Sequence, residues 1–236
     1  MDTTAKSLIV KVIPSNIANA FIKRAHYSGK VVPNSQLHFG VFLGKLLHGV
    51  MSFGPSTDKA KLIGLVEGTG WNEFIELNRM AFDEHLPKNS ESRAIAVALR
   101  LIRKQAPHIK WVISFADGTR CGDGTIYRAS GFVLTQINKS KGMRIDEATG
   151  EVYSQITFSA HRPNEMHLFR KMKVLEGYQF RYIYFIDPAC RAKLTCPIIP
   201  FSKISELGVG MYKGKLRTLS PTPSRDITKT PSPSEK

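Results

Sequence analysis

The chain is short of cysteine, of acidic side chains and of long apolar runs. Its three cysteines, Cys121, Cys190 and Cys196, cannot close a disulfide framework, and none belongs to a C-x-x-C pair. A disulfide-stapled fold and a structural zinc module are both unexpected on that count. No run of about 18 apolar residues occurs, which excludes a transmembrane helix. Residues 1–6 lack the basic-then-apolar order of a signal peptide. Acids are outnumbered: 19 Asp plus Glu stand against 34 Lys plus Arg, a net charge of +15. Such an excess speaks about partners rather than fold. It favours a polyanion, with nucleic acid ahead of an anionic membrane surface. The expectation is a soluble protein of a reducing, intracellular compartment, with no membrane anchor.

What is present suits a globular chain. The hydrophobic share is 42% and the charged share 22% over 236 residues, enough to bury a full core. The stretch 217–236, RTLSPTPSRDITKTPSPSEK, is rich in Pro, Ser and Thr. It buries too little apolar surface to offset its ordering entropy and reads as a disordered tail. One domain is expected over 1–216. Within it, strands are expected at 7–14, 38–45, 46–54, 73–82, 110–117 and 178–187. Helices are expected at 15–24 with Ser15 as N-cap, at 90–105 with Ser90 as N-cap, at 124–130 and at 164–173. Residues 132–137 and 151–157 read as a hairpin around 146–150. This order implies an α/β (α+β) fold, a mixed sheet with helices on both faces.

Several features are able to carry chemistry. In the helix at 90–105, Ile95, Ala98, Leu99 and Ile102 share one face. Arg93, Arg100 and Lys104 fall close to one line opposite, because offsets of seven and eleven nearly complete whole turns. The helix start, with Ser90, Ser92 and Arg93, suits a phosphate; a solvated basic face is the ordinary alternative. The buried strand KWVISFAD ends in Asp117 before a glycine-rich turn, a place where open sheets put ligands. Alternation sets Ser114 on a different face from Asp117. Tyr127 follows in GTIYRASG, as a proton donor, a stacking group or a packing residue. His26 and Tyr27 close the first helix, as an acid/base pair or a stacking platform. His48 sits inside the apolar strand LLHGVMSFG and reads as a hydrogen-bonded packing residue. In ELNRMAF, alternation places Glu76, Asn78 and Met80 on one face and Leu77, Arg79 and Ala81 on the other. Beyond residue 138, basic side chains (Lys139, Lys141, Arg144, Arg162, Arg170, Lys171, Lys173) alternate with aromatics such as Tyr153, Phe158, Phe169 and Tyr178. That pattern suits phosphates and unstacked bases, although the same aromatics also suit a sheet core.

Taken together, HYSGK, HFGVFLGKLLHGVMSFG, ELNRMAF, PKNSESRAIAVALRLIRK, WVISFADG and GTIYRASGF resemble, in this order, the phage Mom-type DNA modification proteins. The likeness spans almost all of residues 7–190. It implies a GNAT acyltransferase class of fold, with a sheet splayed near its middle. It also implies conversion of adenine in phage DNA to N6-carbamoylmethyladenine, in the cytoplasm of the bacterial host, which blocks restriction enzymes. The family motif falls on Asn78 and Arg79 in the central strand, and on Ser90, Ser92 and Arg93 at the helix start. It continues at Ser114, Asp117 and Tyr127, with His26 and Tyr27 on the acceptor side; Arg100 extends the basic stripe toward donor phosphates. The loop 83–89 departs from the usual coenzyme A cradle, since DEHLPKN contains no glycine.

The product implied by the resemblance constrains the donor. Acetyl-CoA would deliver N6–CO–CH3, so reaching N6–CH2–CO–NH2 would call for a redox metal such as iron; His48, Asp117 and Tyr127 are then candidate ligands. Glycyl-tRNA would supply the needed atoms without redox. Double-stranded DNA is the acceptor, with its adenine flipped out of the stack. A conventional coenzyme A-dependent N-acetyltransferase of a protein or small amine, and a non-enzymatic basic DNA-binding protein, are the rival readings.

Overall fold

The computed structural model describes residues 4–26, 28–118, 122–140, 142–155, 158–159, 162–212 and 215–218. Strand β1 (Ile9–Val12) ends before Pro14, and helix α1 (Ser15–Ala25) starts directly after it. Pro14, rather than Ser15, holds the N-cap position, at φ −61° and ψ 149°. A proline there has no N–H to waste and is already extended at the helix entrance. Strands β2 (Leu37–Leu43) and β3 (Leu46–Gly54) form the expected hairpin. A short helix α2 (Lys59–Leu62), which the residue pattern had not indicated, precedes β4 (Phe74–Phe82). Helix α3 (Ser90–Gln105) and strand β5 (Trp111–Asp117) lie where the periodicity put them.

After β5 come α4 (Thr125–Ala129), β6 (Val133–Ser140), β7 (Met143–Ile145) and β8 (Val152–Ser154). Helix α5 (Met166–Lys171), β9 (Lys173–Val174) and the long β10 (Gly177–Phe185) follow. Helix α6 (Ser202–Glu206) and a hairpin of β11 (Val209–Tyr212) and β12 (Lys215–Thr218) close the described chain. That hairpin runs past residue 216, and residues 219–236 lie outside the described part.

The main sheet has the order β1-β2-β3-β4-β5-β10-β6. All of its pairs are antiparallel except β4 with β5. This parallel pair holds together only over Phe74–Glu76 against Trp111–Ile113, and then the strands part. The result is a mixed sheet splayed near its middle, as expected. The expected hairpin of 132–137 with 151–157 does not form among the described residues: β6 pairs with β10, and β8 with β7. The nine-residue β10 offers ladders to both β5 and β6, whereas the three-residue β8 has room for only a short pairing.

Helices cover both faces. On one, Ala94, Ile95, Ala98, Leu99 and Ile102 of α3 pack against Phe39, Met51, Phe53, Leu77, Val112 and Phe180. On the other, Ala18, Phe21 and Ile22 of α1 pack against Val50 and Ala81. A second apolar island on that face joins Phe74, Trp111, Ile113 and Ile183, with the Phe74 and Trp111 rings stacked at 4.2 Å. Of the aromatics expected to read bases, Phe158 and Phe169 are core, as are Phe180 and Tyr182 of β10. Phe158 and Phe169 pack ring on ring at 5.2 Å, a small core for the β7–β8–β9 sheet.

Candidate active site

Strand β4 departs from simple alternation, and the departure builds the site. Its register with β3 shifts between Ser52 opposite Arg79 and Phe53 opposite Leu77, so Asn78 is an extra residue in the ladder. A bulge of this kind re-aims every side chain after it. Leu77 before it and Met80 after it therefore both join the α3-side core. Ala81 packs under α1, and Arg79 shares its side with Glu76. The expected grouping of Glu76, Asn78 and Met80 is thus corrected: Glu76 and Arg79 face together, and Met80 turns away.

A polar cluster fills the gap between the two apolar islands of that face. The amide Oδ1 of Asn78 accepts the Ser35 hydroxyl at 3.1 Å. The Ser56 and Asn78 side chains beside the Glu76 carboxyl favour its charged form. Burial pushes the Glu76 carboxyl up, against those side chains and the Arg79 charge. Gly54 makes this packing feasible: a Cβ there would lie 2.6 Å from the Asn34 carbonyl and 2.9 Å from Asn78 Oδ1. Arg79 donates from Nε to the Lys30 carbonyl at 3.1 Å and from a terminal nitrogen to the Asn78 carbonyl at 2.9 Å. It thereby ties the loop after α1 to the bulge. One strand further, buried His38 and Ser52 pair at 2.8 Å.

His26 belongs to the same neighbourhood. Burial, followed by the Arg79 charge, lowers its pKa to about 4. Its Nδ1 accepts the Ser28 backbone N–H at 3.1 Å and lies 2.8 Å from the Ser28 hydroxyl. An Nδ1 that accepts an N–H leaves the proton on Nε2, so His26 is a neutral imidazole and a donor through Nε2. Tyr27 lies outside the described residues.

The splay has its own device. Beyond Glu76 no ladder joins β4 to β5, and buried Ser114 donates its hydroxyl to the Leu77 carbonyl at 3.2 Å. Asp117 ends β5 opposite Gln179 of β10, half-buried. Ile113 belongs to the island away from α3, whereas Val112 and Ala116 belong to the α3-side core. Alternation therefore sets Asp117 on the Glu76 and Arg79 side, and Ser114 on the α3 side.

The α3 side carries the remaining expected residues. Ser90 is not the N-cap; that position is Asn89, at φ 68°, a left-handed conformation that asparagine tolerates. Ser90 is the buried first helical residue, and its hydroxyl donates to the Pro87 carbonyl at 2.5 Å. Ser92 donates to the Asn89 carbonyl at 3.2 Å. Neither hydroxyl is spent on a helix N–H. Arg93 and Arg100 are exposed, as the stripe required. Tyr127 of α4 is buried against Phe132 at 5.3 Å and Tyr182 at 5.2 Å. Tyr182 in turn donates its hydroxyl to the Asp123 carbonyl, across Gly124, where φ is 77° and any Cβ would strike the Tyr182 ring.

The structure therefore places His26, Asn78, Arg79 and Asp117 on one side of the sheet, and Ser90, Ser92, Arg93, Ser114 and Tyr127 on the other. Glu76, Ser35, Ser56 and His38 join the first group and were missed by sequence reasoning. Only the polar character of Glu76 inside an apolar strand pointed to it. His48 is also part of a bulge, and its partners are Asp83 and His85 rather than Asp117 or Tyr127.

The model of the Mom protein family matches residues 7–203. This chain belongs to the Mom protein family. The methylcarbamoylase Mom of Escherichia phage Mu is 37% identical over 198 residues, covering 81% of this chain and 80% of that protein. Distant likenesses exist among solved structures. An IAA acetyltransferase from Bacillus cereus is 13% identical, over 76% of this chain and 99% of its own, at TM-score 0.44. The ribosomal-protein-S18-alanine N-acetyltransferase of Escherichia coli is 9% identical, over 76% and 94%, at TM-score 0.45. As a Mom family member the chain is a transferase of the DNA-modifying kind.

Proposed function

We propose that this chain converts adenine in phage DNA to N6-carbamoylmethyladenine, in the cytoplasm of the bacterial host. Membership of the Mom family carries the reading, and the name of the phage Mu relative supports the group transferred. The N6 amine is inaccessible in a stacked duplex, so the adenine is flipped into the enzyme. The polar cluster around the Asn78 bulge is the acceptor pocket. Asp117 takes the proton from N6 or holds the adenine edge. Glu76, with a carboxyl raised above the ordinary glutamate range, is a second proton-exchanging group there. Arg79 and Asn78 orient the base, and neutral His26 donates a hydrogen bond from Nε2. On the opposite side, the α3 start with Ser90, Ser92 and Arg93, and Arg100 beyond it, meets donor phosphates. Tyr127 relays a proton near Ser114.

Glycyl-tRNA is the donor that the atom inventory supports. N6 attacks the glycyl ester carbonyl, the ester C–O bond breaks, and the tRNA hydroxyl leaves with a proton. The product is N6–CO–CH2–NH2. Its amine then attacks C6 through a five-membered spiro intermediate, and the C6–N6 bond breaks. The former N6 becomes the terminal amide of N6–CH2–CO–NH2, with no change in oxidation state. Acetyl-CoA is the rival donor; it would need a redox metal such as iron. The glycine-free loop 83–89 lacks the backbone cradle that coenzyme A pyrophosphate uses, which favours the RNA donor. The +15 charge then serves two polyanions, with exposed Arg170, Lys171 and Lys173 on the DNA side.

Nucleoside mass spectrometry of host DNA after expression tests the activity, and unmodified adenine refutes it. Reconstitution with labelled glycyl-tRNA or labelled acetyl-CoA tests the donor. Label is expected in the DNA base from glycyl-tRNA, and label from acetyl-CoA alone refutes that assignment.

A further inference from the structure

We infer that Arg181 binds a phosphate of the DNA strand beside the flipped adenine, a role that rests on the DNA-modifying activity proposed above. Arg181 lies in β10, two residues from Gln179, which pairs with Asp117 of β5. Its neighbours Phe180 and Tyr182 belong to the α3-side core, whereas Ile183 belongs to the island on the other face. Alternation therefore sets Arg181 on the side that carries Asp117. Diagonal neighbours on adjacent strands stand about 7–8 Å apart. From there the long arginine side chain reaches the phosphate of a nucleotide whose N6 edge meets Asp117.

A second bulge holds this guanidinium in place. The ladder of β10 with β6 shifts between Arg181 opposite Gln136 and Tyr182 opposite Leu134, so Thr135 is an extra residue in β6. Buried Thr135 clasps the arginine from two directions. Its hydroxyl donates to the Arg181 carbonyl at 3.2 Å and accepts from Arg181 Nε at 3.0 Å. The Nη2 nitrogen donates to the Thr135 carbonyl at 3.4 Å and to Cys196 Sγ at 3.5 Å. A thiol is only a weak acceptor. Among the described residues, no hydrogen bond engages Nη1 and no carboxylate forms an ion pair with Arg181. The side chain is half-buried, and burial lowers its pKa. Holding a cation partly out of water is costly unless an anion meets it. Arginine's rigid fork of N–H donors matches a phosphate. A purely structural arginine explains the Thr135 clasp. It does not explain a guanidinium with one nitrogen uncommitted and no acid beside it, two residues along the strand from the partner of Asp117. The bulges at Asn78 in β4 and Thr135 in β6 thus each steady an arginine on this face, one on either side of β5.

The test titrates full-length protein into a short DNA duplex with a single adenine opposite an abasic position, read by fluorescence anisotropy. In companion duplexes a methylphosphonate neutralises the phosphate on the 5′ or the 3′ side of that adenine. At one of these positions wild-type affinity is expected to fall about tenfold or more. Arg181→Met is expected to bind the native duplex more weakly by a similar factor and to lose nothing further to the methylphosphonate. Arg181→Gln, which keeps hydrogen-bonding groups for the Thr135 clasp, is the second variant if Arg181→Met fails to fold, with the same insensitivity expected. Arg170→Ala, at an exposed basic position, is expected to keep the full sensitivity. A structural role alone gives losses that add. Additive losses, or an equal loss of sensitivity in Arg170→Ala, overturn the phosphate contact and leave the DNA-modifying activity standing. A wild-type protein that binds none of the duplexes refutes that activity and the contact with it.

Discussion

The two faces of the central sheet are built on opposite principles. Under α3 the packing is one continuous apolar core that reaches from Phe39 to Ile204. On the other face the apolar residues form two islands, and between them lie His26, Ser35, Ser56, Glu76, Asn78 and Arg79. The α3 face spends its side chains on stability. The other face gives up contiguous burial and accepts the cost of desolvating polar groups, which a chain tolerates only where those groups are hydrogen-bonded. At the splay between β4 and β5 the buried Ser114 hydroxyl bridges the two strands.

This contrast is open to direct attack. The largest expected effect is chemical. Asp117→Ala should lower adenine modification at least about 100-fold while leaving DNA affinity nearly intact, because the role proposed for Asp117 is proton transfer rather than phosphate contact. Nucleoside mass spectrometry and a DNA-binding titration read the two quantities, and wild-type modification would remove Asp117 from the mechanism. On the α3 face, Ile95→Ala should cost about 2–5 kcal/mol of stability in denaturant unfolding, since Ile95 is fully buried. A loss well under 1 kcal/mol would mean that the α3 core is not the main stabiliser. At the meeting point, Ser114→Ala strands the Leu77 carbonyl and should cost about 1–3 kcal/mol, with no loss in Ser92→Ala as the exposed comparison.

The remaining effects are pH-dependent and opposite in sign. The His26 pKa falls from 6.5 to about 4 on folding, so folding favours neutral imidazole. Its contribution is complete above pH 6.5 and is lost as pH falls toward 4. His26→Gln should therefore lose less stability than wild type across that window. The Glu76 pKa is raised on folding, so folding favours the protonated acid. Its contribution is present below the ordinary glutamate value and is lost as pH rises through the raised one. Glu76→Gln should gain on wild type as pH rises. Urea midpoints measured from pH 4 to 8 check both, and parallel profiles would show that neither group is held by the polar cluster.

By itself the sequence determined the charge, the amphipathic α3, the β2–β3 hairpin, the buried β5 ending in Asp117 and the family. These are local or cumulative signals: a 3.6-residue period, a glycine-containing turn, a run of short motifs in order. Only the tertiary structure decided which side chains share a face. One extra residue in β4, at Asn78, reverses the direction of every side chain after it, and nothing in ELNRMAF marks where the ladder slips, because the slip is defined by the partner strand. The same holds for His48, read from its strand as a packing residue and found in a bulge beside Asp83 and His85. Likewise the long β10 took β6 from the hairpin that its neighbours suggested. The polar cluster joins residues from α1's end, the loop before β2, the loop after β3 and β4. Such contacts depend on strand order and register, which are settled by competition among all the strands together and leave no mark on any one segment.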